Sequence, residues 1–234
     1  MKHFLLTVFS IIISLSVTAQ SIDMDDIKAK TTSNTSKFYY PTLLAKFMSN
    51  DTSMTPEDYR YFYYGTLFTE DFNPYRPNPY EKEIKALDQV YLKREHLTRA
   101  EKKEVERIAR LSLANNPLDL RQMMYMTYVY ESNRKYNLAK IWRNKLSNIL
   151  LTISRSGTGT DPEHARIVVY PRHEFDLYNL SAKPVPVEKQ EFVPPYYEKI
   201  TVKQAGKDTD FYFNLKPLLD QYYLKHPEEL DKTD

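Results

Sequence analysis

The chain has 234 residues, with 33 Lys and Arg against 31 Asp and Glu, a net charge of +2 and no cysteine. That balance argues against a nucleic-acid binder, which carries a clear basic excess on one face. Without cysteine there are no disulfides, no thiolate metal sites, no cysteine nucleophile and no lipid anchor on an N-terminal cysteine, so the core alone must hold the fold.

Met1-Lys2-His3 gives a short positive start, Phe4 to Val17 is a mainly apolar run, and Val17-Thr18-Ala19 ends it with small residues. This is the pattern of a secretory signal peptide over residues 1–19, cut between Ala19 and Gln20. The run is shorter than the roughly 20 apolar residues of a membrane-spanning helix, and no comparable run follows. The mature chain is therefore expected in the periplasm or outside the cell, with no membrane span. About 215 residues remain after cleavage, enough for one large domain or two small ones.

Residues 20–37 are polar, lack a sustained apolar period and read as a flexible leader. The region 38–155 reads as helical. Pro41 suits a first helical turn, with Leu43, Leu44, Phe47 and Met48 behind it. Thr55, Pro56 and Asp58 form the start of a second helix in capping-box style, and Tyr59, Phe62, Tyr63 and Thr66 line one of its faces. Gly65 in that helix costs about 1 kcal/mol relative to Ala, which close packing against a neighbouring helix would offset. After a proline-studded connection from Asn73 to Pro79, helices are expected over Tyr80–Arg94 (Ile84, Leu87, Val90 and Tyr91 inward), Arg99–Asn115 (opened by Thr98 and Glu101), from Asn116-Pro117 onward, and from Lys135 to Arg155.

The region 156–225 changes character. Ser156 to Pro162 breaks the helix, Arg166–Tyr170 reads as a strand, and the alternation from Phe175 to Leu180 reads as a second strand. Four prolines between Pro184 and Pro195 suggest a stiff extended linker. Glu198–Gln204 and Phe211–Leu215 suggest a hairpin around Ala205-Gly206-Lys207-Asp208, followed by a short helix from Pro217 to Leu224. Residues 226–234 form a charged tail. Helices first and strands later give an α+β fold: N-terminal antiparallel helical hairpins, tetratricopeptide-like or a small bundle, then a small antiparallel β-sheet packed on the helices and a short C-terminal helix.

The 20 tyrosines and 11 phenylalanines against 4 glycines fit either a ligand surface, with Tyr61 and Tyr64 as candidates, or core filling. Met123, Met124 and Met126 pose the same choice. Ser156-Gly157-Thr158-Gly159-Thr160 resembles a phosphate-cradling loop, because successive N–H groups and hydroxyls can surround an anion. However, it follows a helix and lacks the lysine of a true phosphate loop, so a glycine helix cap at Gly157 leading into a turn is the simpler reading, with a polar ligand loop as the alternative. The one dense cluster of titratable groups spans Asp161, Glu163, His164, Arg166, Arg172, His173, Glu174 and Asp176. Glu163, His164, His173 and Asp176 are the candidates for acid–base work there, since an imidazole beside carboxylates supports proton transfer or zinc binding. A strand would place His173 and Glu174 on opposite faces, which favours a polar turn instead. No metal set is assigned, no cofactor is expected, and no serine-hydrolase, zinc-protease or dinucleotide motif is present.

Phe38-Tyr39-Tyr40-Pro41 with Leu43-Leu44, Glu57 to Gly65, Ser156 to Thr160 and Phe211-Tyr212-Phe213-Asn214 together resemble an uncharacterised family of exported Bacteroidota proteins, domain of unknown function 4919. The resemblance covers about residues 37–225. It implies a bacterial envelope protein and brings no activity, cofactor or catalytic residue. The expectation is a non-enzymatic binding or interaction module whose partner is a protein, peptide or envelope glycan. The alternative is a hydrolase-type enzyme using the cluster at 161–176. Convergence of that cluster with the Gly157–Gly159 loop in one pocket would favour the enzyme, and dispersal would favour the module.

Overall fold

A computed structural model describes residues 22–93, 97–181, 184–204 and 206–232, with side chains at 88–93 and 231–232 left aside. The signal segment and cleavage site expected within residues 1–20, the side chains of Val90 and Tyr91, and Ala205 lie outside this description. In chain order the elements are α1 (Met24–Thr32), α2 (Tyr40–Met48), α3 (Pro56–Gly65) with a 3₁₀ turn (Thr66–Phe68), α4 (Glu81–Lys93), α5 (Arg99–Asn115), α6 (Leu120–Ser132) and α7 (Tyr136–Arg155). Then come β1 (Arg166–Ile167), α8 (His173–Asn179), β2 (Val187–Val193), β3 (Tyr197–Gln204), β4 (Lys207–Asn214), α9 (Lys216–Lys225) and a closing 3₁₀ turn (Pro227–Lys232). The fold is α+β, helices leading.

Helix starts follow local chemistry. Thr55 and Thr98 each cap a helix in a reciprocal box, with Asp58 and Glu101 returning the bond to the cap's backbone N–H. Asp119 caps α6 by accepting from the Gln122 N–H, three residues later than the expected start at Asn116. Short connections fold α6 back on α5 and α7 back on α6. The aromatics go inside. On α3, Tyr59, Tyr61, Phe62, Tyr63 and Tyr64 are all buried, and only its start, at Pro56, Glu57, Asp58 and Arg60, faces outward. Met123 and Met126 are buried on α6.

Four expectations are corrected. The leader contains α1, capped by Asp23, with Ile27 and Thr31 buried against the bundle. The strand expected at Phe175–Leu180 is helix α8, because Leu177 and Tyr178 bury neighbouring positions of a helix face; over so short a segment, period 2 and period 3.6 are hard to separate. Only Arg166 and Ile167 of the strand expected at 166–170 pair, although Val168 and Val169 are fully buried. The proline linker contains β2, because its prolines stand outside the paired residues at either end.

The sheet order is β1-β4-β3-β2. Its hairpins are antiparallel, but β1 joins β4 in parallel, with Arg166 opposite Phe213, so the sheet is mixed and not wholly antiparallel. Ile200, Val202 and Phe213 project from one face into the same core cluster as Ile27, Phe47, Phe62 and Ile149. The opposite face carries ions, including Lys199 within 2.9 Å of Glu191 and 3.5 Å of Asp210. One continuous core therefore joins sheet and helices.

Candidate functional site

The titratable cluster divides. Asp161, Glu163 and His164 lie on a surface turn, where Asp161 Oδ1 accepts from the His164 N–H at 2.9 Å and faces its Nδ1 at 2.8 Å. His173 and Asp176 lie on α8, buried to 0% and 1% exposure. Neither the cleft beside Arg172 nor the pocket beside Glu57 and Arg155 is lined by any of these five residues.

Every polar atom of the His173 ring is used. Leu118 O, 3.0 Å from Nε2, can only accept, so Nε2 carries the proton. Tyr63 accepts from the Val169 N–H at 3.2 Å and donates its own hydroxyl to Nδ1 at 2.9 Å. Burial holds the imidazole neutral, pushing its pKa down to about 3. A ring so enclosed binds three chain segments together and has no free nitrogen for a substrate or a metal.

The candidate ligand residues are similarly committed. Tyr61 donates to Asp26 of α1 at 2.6 Å and stacks on Phe38 at 3.8 Å between centroids. Tyr64 is fully buried, with its hydroxyl toward Ile167 O. In the glycine loop, Ser156 Oγ donates to Ile153 O and accepts from the Ile167 N–H. The Gly159 N–H donates to His164 O at 2.8 Å, and Gly159 O accepts from the Tyr212 N–H at 2.8 Å. Thr158 and Thr160 share a hydroxyl contact at 2.9 Å. Ser156 and Gly159 thus seam α7 to β1 and β4, while the exposed Thr158 and Thr160 bond to each other.

The structure offers a different site, a cleft of about 680 Å³. Its walls are the proline-studded segment after α3, the first turn of α4 and the connection from α5 to α6, with Tyr40, Tyr170 and Arg172 completing them. Side-chain amides shape these turns: Asn73, Asn78 and Asn116 accept from the N–H groups of Tyr75, Tyr80 and Leu118. Asn78 donates to Ser112 Oγ at 2.7 Å, and Ser112 donates to the buried Asp119 at 2.8 Å. Beyond Asp119 the contacts become purely ionic. Arg172 stands 4.0 Å from Asp119 and 4.0 Å from Asp176, and Arg121 stands 4.0 Å from Asp176 on another side. Burial raises the Asp176 carboxyl to about 6 against the pull of the two arginines.

Beneath α8, Glu174 is wholly buried, and neither of its carboxyl oxygens has a hydrogen-bond partner. Burial first and the acidic Glu198 second push its pKa up to about 10, so it is a neutral acid in the folded chain. Among the described residues no group of three or more His, Cys, Asp or Glu is arranged to hold a metal ion. No helix there is long and apolar enough to cross a membrane.

Asp119, Arg121, Tyr170 and Asn78 are absent from the sequence-derived candidates. Only Asp119 had a local signal, as a cap three residues before Gln122. The others become a site through contacts between distant segments. The family model described as Domain of unknown function (DUF4919) matches residues 25–224, and the chain belongs to that family. No curated protein and no solved structure matches it.

Proposed function

We propose that this DUF4919 member is an exported, non-enzymatic binding module of the bacterial cell envelope, and that the cleft beside Arg172 holds its ligand. Export rests on the Phe4–Ala19 signal pattern. The observation that carries binding is the cleft itself. At about 680 Å³ it falls within the ordinary size range of ligand sites. It presents aromatic rings, amides and three arginines, Arg76, Arg121 and Arg172, whereas the acid–base residues of a hydrolase are split between an exposed turn and a sealed helix.

The test is a thermal-shift screen of the mature chain against envelope glycan and peptide fractions, with Ala114→Trp as control. Ala114 is exposed on the cleft wall, so the indole fills the space without entering the core. A fraction that raises the melting temperature of the wild type and not of Ala114→Trp supports the reading. Stabilisation indifferent to that substitution, or none from any fraction, contradicts it.

A further inference from the structure

Resting on the cleft as the ligand site, we infer that its ligand is an acidic glycan and that Arg172 grips one of the sugar carboxylates. Arg172 has a side-chain exposure of 44% and sits between two carboxylates exposed by only 1% each. Both contacts are 4.0 Å, so the buried acids fix the guanidinium by charge without engaging its N–H groups. Among the described residues its guanidinium makes no hydrogen bond within 3.5 Å, so the paired N–H donors of its planar fork remain available for a bidentate carboxylate. The cations of the opposite wall are occupied: Arg76 bonds to Asp71, and Lys85 lies 2.5 Å from Glu81. Arg121 also lines the cleft, 4.0 Å from Asp176, whereas Arg172 stands between both buried acids and is the more exposed of the two.

The rest of the cleft suits a sugar. Asn73 and Asn116 spend their carbonyl oxygens on backbone N–H groups and keep their NH₂ donors, without a protein partner among the described residues. Such donors match ring hydroxyls. Tyr40 and Tyr170 supply ring surface for the apolar faces of sugar rings. An extended or helical peptide is captured on an open strand edge or in an apolar helix groove. The cleft walls are turns and helix ends, and offer neither. An acidic peptide held by arginine is the case that hexaglutamate distinguishes.

The experiment is calorimetric titration of the mature chain with trigalacturonic acid, its carboxyl-reduced counterpart and hexaglutamate. The acid sugar is expected to bind at least tenfold more tightly than the reduced one, and more weakly in 0.5 M salt. Arg172→Lys keeps a cation between Asp119 and Asp176, so the fold is retained, but loses the fork. It is expected to weaken the acid sugar about tenfold and leave the reduced sugar unchanged. Equal binding of acid and reduced sugars, or no effect of Arg172→Lys, overturns the anchor while leaving the cleft as the site if Ala114→Trp still abolishes binding. Binding that survives Ala114→Trp overturns the cleft. Hexaglutamate binding without sugar binding, or binding of none of the three probes, overturns the glycan assignment.

Discussion

A methyl group placed on Gly157 would lie 2.4 Å from His164 O and 2.5 Å from Ala165 O, both backbone atoms with little room to yield. Gly157→Ala should therefore destabilise the fold by about 2 kcal/mol, in the range of other overpacking substitutions. Urea denaturation would show the loss, and ligand binding in the cleft should persist in the folded fraction. A binding defect without a stability defect would restore the loop as a ligand site. Glu174 makes a second prediction. Its pKa rises from 4.5 to about 10 on folding, so its stabilising protonated form is fully present below pH 4.5 and is lost as pH climbs through 10. Glu174→Gln, neutral at every pH, should gain stability over the wild type progressively above pH 4.5, reaching about 1–3 kcal/mol by pH 8. An unchanged difference between pH 4.5 and pH 8 would show that Glu174 is solvated. His173 acts in the other direction. Its pKa falls from 6.5 to about 3 on folding, so its contribution is present above pH 6.5 and fades as pH drops through 3. His173→Gln should flatten the acid side of the stability profile.

Among the elements, α1 was hidden from sequence reading because its cues are faint. Its nine residues carry one buried aliphatic, Ile27, and otherwise read as polar leader. Gly65 gave the complementary signal: a glycine inside a helix implies a close neighbour. A Cβ there would meet Thr31 Cγ2 at 2.7 Å, so the neighbour is α1 itself. Gly65→Ala should cost about 1–2 kcal/mol despite the better helix propensity of alanine. Thr31→Ala, which removes the opposing methyl, should recover part of that loss in a double-mutant cycle. Additive effects would place α1 elsewhere. The capping boxes at Thr55 and Thr98, the last long helix and the hairpin were legible because each is written in adjacent residues. Helix α8 and strand β2 were not, since burial of Leu177 and pairing of Val187 with Val202 are decided by distant partners.

At the scale of the molecule, the aromatic surplus that hinted at a binding surface supplies much of the core. Tyr61, Tyr63, Tyr64 and Tyr130 are among its largest fully buried side chains, and His173 with Tyr63 locks α3 to α8 and to the start of α6. The cleft of about 680 Å³ is a concave polar surface, larger than the pocket of about 230 Å³ beside Glu57 and Arg155. Its residues come from positions 40 to 172, so no local motif could reveal it. The sequence did mark its two fixed walls, as the Asn73–Pro79 connection and the Asn116-Pro117 break, but each reads alone as an ordinary turn. The most direct test is hydrogen–deuterium exchange of the mature chain with and without the envelope fraction that stabilises it. Ligand-dependent protection is predicted at residues 69–80, 114–121 and 170–172. Protection centred on the loop at 156–164 instead would contradict the assignment of the cleft as the binding site.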